Sequence, residues 1–112
     1  MRDQKEPSLR ELSQIATRVG AIYAERFGIE RDATFYLGKL TEELGEVTAA
    51  YLKLAGQARR GDRTPEELQG DLEDELADLL GFMLLFADWQ GVDLTKALQQ
   101  KWGRYLDTPD GE

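Results

Sequence analysis

Leu40-Thr41-Glu42-Glu43-Leu44-Gly45-Glu46 and Asp74-Glu75-Leu76-Ala77-Asp78-Leu79-Leu80 are the two runs from which the rest of the chain can be read. Each mixes acids with apolar residues at helical spacing. In each, two carboxylates stand three positions apart, Glu43 with Glu46 and Glu75 with Asp78. On an α-helix that spacing puts both acids on one face, with Cβ atoms about 5–6 Å apart. A spacer of 28 residues separates Glu46 from Glu75, room for one helix to finish and the next to begin. Packed antiparallel, two such helices would bring four carboxylates together.

The flanking sequence supplies those helices. Asp32 or Thr34 can cap the first, and Leu37, Leu40, Leu44, Val47, Tyr51, Leu54 and Ala58 form its apolar stripe. The stripe predicts a helix to about Ala58, then a turn at Arg59-Arg60-Gly61-Asp62-Arg63. The next helix has the clearest start: Thr64 as cap, Pro65 at the first helical position and Glu67 completing a capping box. It should run to about Gln90 and stop at Gly91. Its first half is amphipathic through Leu68, Leu72, Leu76 and Leu79. Its second half, Leu79 to Ala87, is nine residues apolar all round. Such a helix demands cover on every side. A chain of 112 residues has little to offer, so subunit association is expected.

Further out, Ser8 and Glu11 make a second capping box. Leu12, Ile15, Ala16, Val19, Ile22, Tyr23 and Phe27 carry that helix from about Ser8 to Phe27, with Gly28 as its stop. Asp93 caps a short fourth helix containing Leu94, Ala97, Leu98, Trp102, Tyr105 and Leu106. Residues 1–7 and 107–112 read as flexible tails around a single domain over 8–106. No strand pattern or repeat is present. The expected architecture is all-α, a small four-helix bundle with an oligomeric helical core.

Composition narrows the chemistry. The net charge of −8 disfavours a nucleic-acid polymer as partner. No apolar run approaches the ~20 residues of a membrane helix, and the charged first residues lack the apolar stretch of a signal peptide. A cytoplasmic protein is expected. Cysteine and histidine are both absent, which removes thiolate sites and the commonest general base. Whatever the chain does must use carboxylates, amines, hydroxyls and bound metal.

A helical wheel places Glu43 at the edge of its apolar stripe and Glu46 further out, beside Lys39, Ala50 and Lys53. Glu75 borders Leu72, Leu76 and Leu79, with Asp78, Asp71, Phe82 and Trp89 along the same border. A solvated acidic face is the ordinary explanation of such a pattern. Against it, Glu66 to Asp78 holds seven acids and no base, so the helix is not laced with ion pairs. Two like charges 4 Å apart repel by about 4 kcal/mol at an effective dielectric near 20. A divalent cation removes that cost, and oxygen ligands alone suit Mg²⁺, with Mn²⁺ as a substitute. A di-iron carboxylate bundle needs Glu-x-x-His pairs, which this chain cannot supply.

The pattern Glu-Glu-x-x-Glu, a spacer and then Glu-x-x-Asp, in its Glu-Leu-Gly-Glu and Glu-Leu-Ala-Asp-Leu-Leu contexts, resembles the MazG-type all-α nucleoside triphosphate pyrophosphohydrolases. The likeness covers roughly residues 35–93. It implies hydrolysis of a nucleoside triphosphate between the α and β phosphates, giving a monophosphate and pyrophosphate. It implies Mg²⁺ held by Glu43, Glu46, Glu75 and Asp78, a catalytic set of Glu42, Glu43 and Glu46 in which Glu42 either supports the metal ligands from behind or helps orient the water, and a homodimer or homotetramer. Lys39 and Lys53, on the Glu43/Glu46 border, are candidates for phosphate contact. The resemblance adds Lys101 and Arg104 on the fourth helix. Trp89, Phe82, Phe35 and Tyr36 are candidates for stacking on a base. The absence of histidine departs from the dCTP-selective relatives and leaves the base open. The competing expectations are a non-catalytic helical binding module, and a degenerate family member that binds nucleotide or protein only.

Overall fold

The computed structural model of the chain describes residues 5–107, and these are all-helical with no strand among them. The order is α1 (Leu9–Phe27), α2 (Ala33–Leu54), α3 (Pro65–Trp89), α4 (Leu94–Trp102) and a closing 3₁₀ turn, Gly103–Asp107. The expected tails fall largely outside the described residues.

The start signals do what their chemistry predicts. Ser8 Oγ accepts from the Glu11 amide at 3.1 Å, while Glu11 Oε1 accepts from the Ser8 amide at 2.9 Å. Thr64 and Glu67 repeat that exchange at the head of α3, behind Pro65. Asp32, not Thr34, caps α2 by accepting from Phe35 at 2.9 Å. Asp93 caps α4, and Arg10 on α1 pairs with the same carboxylate at 2.7 Å, tying the starts of the two helices together.

The end of α2 differs from the expectation. Its apolar spacing continues to Ala58, but the helix stops at Leu54. Gly56 adopts φ +77°, a left-handed conformation that costs glycine little. The Gln57 amide then donates to Leu52 and the Gly56 amide to Lys53, which satisfies the last carbonyls and turns the chain. Arg60 adds a bond to the Leu54 carbonyl at 3.2 Å.

α3 is the central element. α2 packs antiparallel along one flank of it, α1 lies on another, and the short α4 rests on α1. The expected bundle is therefore an open arrangement around α3. Gly20 permits the close approach of α1, because a Cβ there would stand 2.7 Å from Leu85 Cδ2. The fully covered layer is thin: Tyr36 and Ala50 on α2, Leu68, Leu84 and Ala87 on α3, and Ala24 on α1. Among the described residues no helix is long and apolar enough to cross a membrane.

Candidate metal centre

Glu43 does not sit at the edge of the α2 packing face. It lies within that face, between Tyr36 and Ala50, and is 8% exposed, the buried charged residue of the described chain. The wheel misplaces it because the apolar stripe of α2 is wider than the contact with α3. The face that α3 covers is rotated towards the acids, and Leu37, Leu44 and Tyr51 are left uncovered.

From α3, half-buried Glu75 and exposed Asp78 meet Glu43. One carboxylate oxygen from each of the three lies within 4.8 Å of the others. The antiparallel register that brings them level is held by rings: Phe35 on Phe82 with centroids 6.4 Å apart, Tyr36 on Phe86 at 6.2 Å and Tyr36 on Trp89 at 5.3 Å. No described side chain or backbone amide bonds to any of the three carboxylates. At an effective dielectric near 20, unit charges at that spacing repel by about 3.5 kcal/mol a pair, less at solvent-facing Asp78.

The titration behaviour follows. Burial pushes the Glu43 carboxyl above its ordinary range, and the charges of Asp78 and Glu75 push it further. Glu75 is raised for the same reasons, partial burial first, then the neighbouring charges of Glu46 and Asp78. The donors fit a hard divalent cation: oxygen only, anionic, convergent and otherwise unneutralised. Three carboxylates here form a group able to hold a metal ion.

The other predicted residues divide by place. Glu46 stands outside the triad but shares with Glu75 a groove of about 150 Å³, also lined by Lys53, Asp71 and Asp74. Lys53 thus lines a groove beside these acids. Glu42 is exposed and pairs with Lys39 at 2.8 Å. The Lys39 ammonium lies over the Phe82 ring, 5.4 Å from its centroid, and Glu42 holds it protonated above the usual lysine range. Lys39 therefore stands at the rim of the triad. Trp89 packs on Tyr36 and Phe86, eleven positions beyond Asp78, or about 16 Å along the helix. Lys101 belongs to α4, which rests on α1, and Arg104 to the 3₁₀ turn that packs on α4. Packing within one chain does not deliver these three to the triad.

Three residues were absent from the wheel of the two acidic helices. Tyr23 and Val19 of α1 line a cleft of about 280 Å³ with Asp78, Gly81 and Phe82 of α3, so the triad opens onto an apolar slot. The apolar spacing of α1 signals a packed face, not that this face is shared with a cleft. Arg63, from the turn before α3, pairs with Asp71 at 2.5 Å and with Glu67 at 3.4 Å. Part of the acidic run therefore does have a basic partner, supplied from outside the helix. Glu75 and Asp78 have none.

No protein-family model, curated protein or solved structure matches the chain. The functional reading rests on the site.

Proposed function

We propose that the chain is a Mg²⁺-dependent nucleotide pyrophosphohydrolase that converts a nucleoside triphosphate to the monophosphate and pyrophosphate. The observation that carries this reading is the convergence of Glu43, Glu75 and Asp78, mutually within 4.8 Å and without a cationic partner. Two neighbouring helices have arranged anionic oxygen where only a cation makes it inexpensive.

Glu43, Glu75 and Asp78 would hold the ion, with Glu46 beside Glu75. When bound, Mg²⁺ neutralises charge on the phosphate oxygens, most of what phosphoryl transfer requires. The rest falls to side chains. Lys39, already at the rim of the triad, can exchange Glu42 for a phosphate oxygen. Glu42, so released, can orient a water and accept its proton, a role open to a carboxylate where no histidine exists. The slot between α1 and α3 offers Tyr23 and Phe82 to the nucleoside, next to Asp78.

The test is turnover. Incubation with a panel of ribo- and deoxyribonucleoside triphosphates and Mg²⁺ should yield monophosphate and pyrophosphate, and chelation should stop it. Release of single phosphate would mean that another bond is cut. No turnover, and no rise in melting temperature on adding Mg²⁺, would leave a helical binding module.

A further inference from the structure

The C-terminal end of α3 borders a second groove, which the triad does not use. Thr17 on α1, Arg31 in the turn before α2, Tyr36 on α2, and Asp88 and Trp89 on α3 line a depression of about 500 Å³. A neighbouring depression of about 390 Å³ shares Thr17 and Asp88 with it and adds Arg18. The two are therefore parts of one groove. Leu85 lines both this groove and the slot beside Asp78, and so forms the wall that they share. Trp89 lies about 16 Å along α3 from Asp78.

Three observations say that this groove is built for a ligand. First, Tyr36 is only 2% exposed, yet its hydroxyl has no hydrogen-bond partner among the described residues. No described side-chain oxygen is both sealed from water and unpartnered. The phenol oxygen therefore keeps its small opening, and the groove is the depression that Tyr36 lines. A hydroxyl left unbonded at the floor of a cavity is an unused donor and acceptor. Second, Trp89 is 42% exposed but braced, with Tyr36 at 5.3 Å and Phe86 at 6.2 Å between ring centroids. An indole held by two rings on one side and open on the other is a platform for stacking. Third, Arg18 and Arg31 each line the groove with Asp88, and neither pairs with it or with any other described carboxylate. Both signs of charge are thus available to a ligand at once.

Together these groups ask for a flat ring, an anion and a cluster of N–H donors in one molecule. A nucleotide has all three, and guanine has two adjacent N–H donors on one edge, which a carboxylate accepts in parallel. We propose that this groove is a second, metal-independent binding site for a guanine nucleotide. The base stacks on Trp89 with its donor edge at Asp88, the phosphate meets the two arginines, and the Tyr36 hydroxyl takes a polar atom at the floor. A volume near 500 Å³ suits a ligand of that size. Trp89, expected to stack on a base, then does so away from the triad. The proposal does not depend on the enzymatic reading, whose ligand sits on the triad.

The chain has two tryptophans, so Trp102→Phe leaves Trp89 as the reporter. In that background, and in chelator, GMP should quench the fluorescence along a saturating curve, more tightly than AMP. Arg18→Gln with Arg31→Gln should weaken GMP binding by about 10-fold or more. Asp88→Asn should abolish the preference for GMP over AMP. All three positions are exposed, and an unchanged melting temperature checks that the fold is kept. Glu43→Gln should bind GMP as its parent does. Absence of a saturable quench overturns the proposal. So does a quench that needs Mg²⁺ or is lost with Glu43→Gln, which would put the nucleotide on the triad. Equal binding of AMP and GMP, equal competition by ribose 5-phosphate, or indifference to the loss of both arginines would overturn it as well.

Discussion

The front and back of the α2–α3 hairpin are built by the same two helices on one shared layer, and each lacks a different thing. The front gathers carboxylates at Glu43, Glu75 and Asp78 and lacks a counter-charge. The back gathers Leu37, Leu44, Leu76 and Leu80 and lacks cover. The first deficit is electrostatic, short-ranged and sensitive to pH. The second is an area of contact with water, indifferent to pH and sensitive to concentration. A helix whose apolar stripe is wider than its partner can serve two neighbours at once. The rotation of α2 that buries Glu43 is the same rotation that exposes Leu44.

That independence can be broken or sharpened by substitution. The largest effect is expected on the front: Glu43→Gln or Asp78→Asn should lower turnover by about 100-fold or more, read as pyrophosphate release. Sedimentation of either variant should be unchanged. If loss of the acid also changed the sedimentation, the two sides would not be separate.

Next comes the shared layer. Leu68 is 1% exposed, and Leu68→Ala should cost about 2–5 kcal/mol in chemical denaturation. Unlike the acid substitutions, it should weaken metal binding through loss of the shared layer and not of a carboxylate.

A smaller effect concerns pH. Glu43 and Glu75 have carboxyl pKa values raised above the ordinary range by burial and by neighbouring charge. The folded state therefore holds these protons more tightly than the unfolded chain. Their cost is absent below the unfolded carboxyl pKa, near 4, and grows as pH rises through the raised folded values. Glu11, Glu67 and Asp93 act oppositely, because amide hydrogen bonds at helix starts lower their pKa values. The comparison to make is thus between wild type and Glu43→Gln. In chelator, the variant should gain melting temperature over wild type as pH rises from 4 to 7. Mg²⁺ should close that gap at pH 7 and do little near pH 4.

The smallest effect is expected at the α1–α3 contact. Gly20→Ala gains about 1 kcal/mol of helix propensity and must displace the end of the Leu85 side chain, 2.7 Å from the new Cβ. The net change should stay within about 1 kcal/mol. A much larger loss of stability would mean that α1 cannot yield, and that the cleft beside Asp78 is rigid.

Much of this fold was legible in the chain because its helix starts are written in local chemistry. Ser8 with Glu11, Thr64 with Pro65 and Glu67, and Asp93 each cap as their side chains dictate. What was not legible depends on partners. Periodicity carries α2 on to Ala58, whereas Gly56 ends it at Leu54, since spacing alone does not register a left-handed glycine. The pairing of two acidic clusters could be read from their spacing, and Glu43, Glu75 and Asp78 do meet. The burial of Glu43 could not, because an apolar stripe does not say which neighbour covers which part of it. Arg63 went unnoticed as a partner of Asp71 because an i, i+4 reading looks only within the helix, and Arg63 lies before it.

The turn at 55–64, drawn tight by Gly56 and Arg60 and anchored to α3 through Arg63, has a consequence for inheritance of the ligand set. It folds α3 back on its own α2, so the three carboxylates of a triad are encoded and delivered by a single polypeptide. Each chain carries, within its own fold, the three carboxylates able to hold a metal ion.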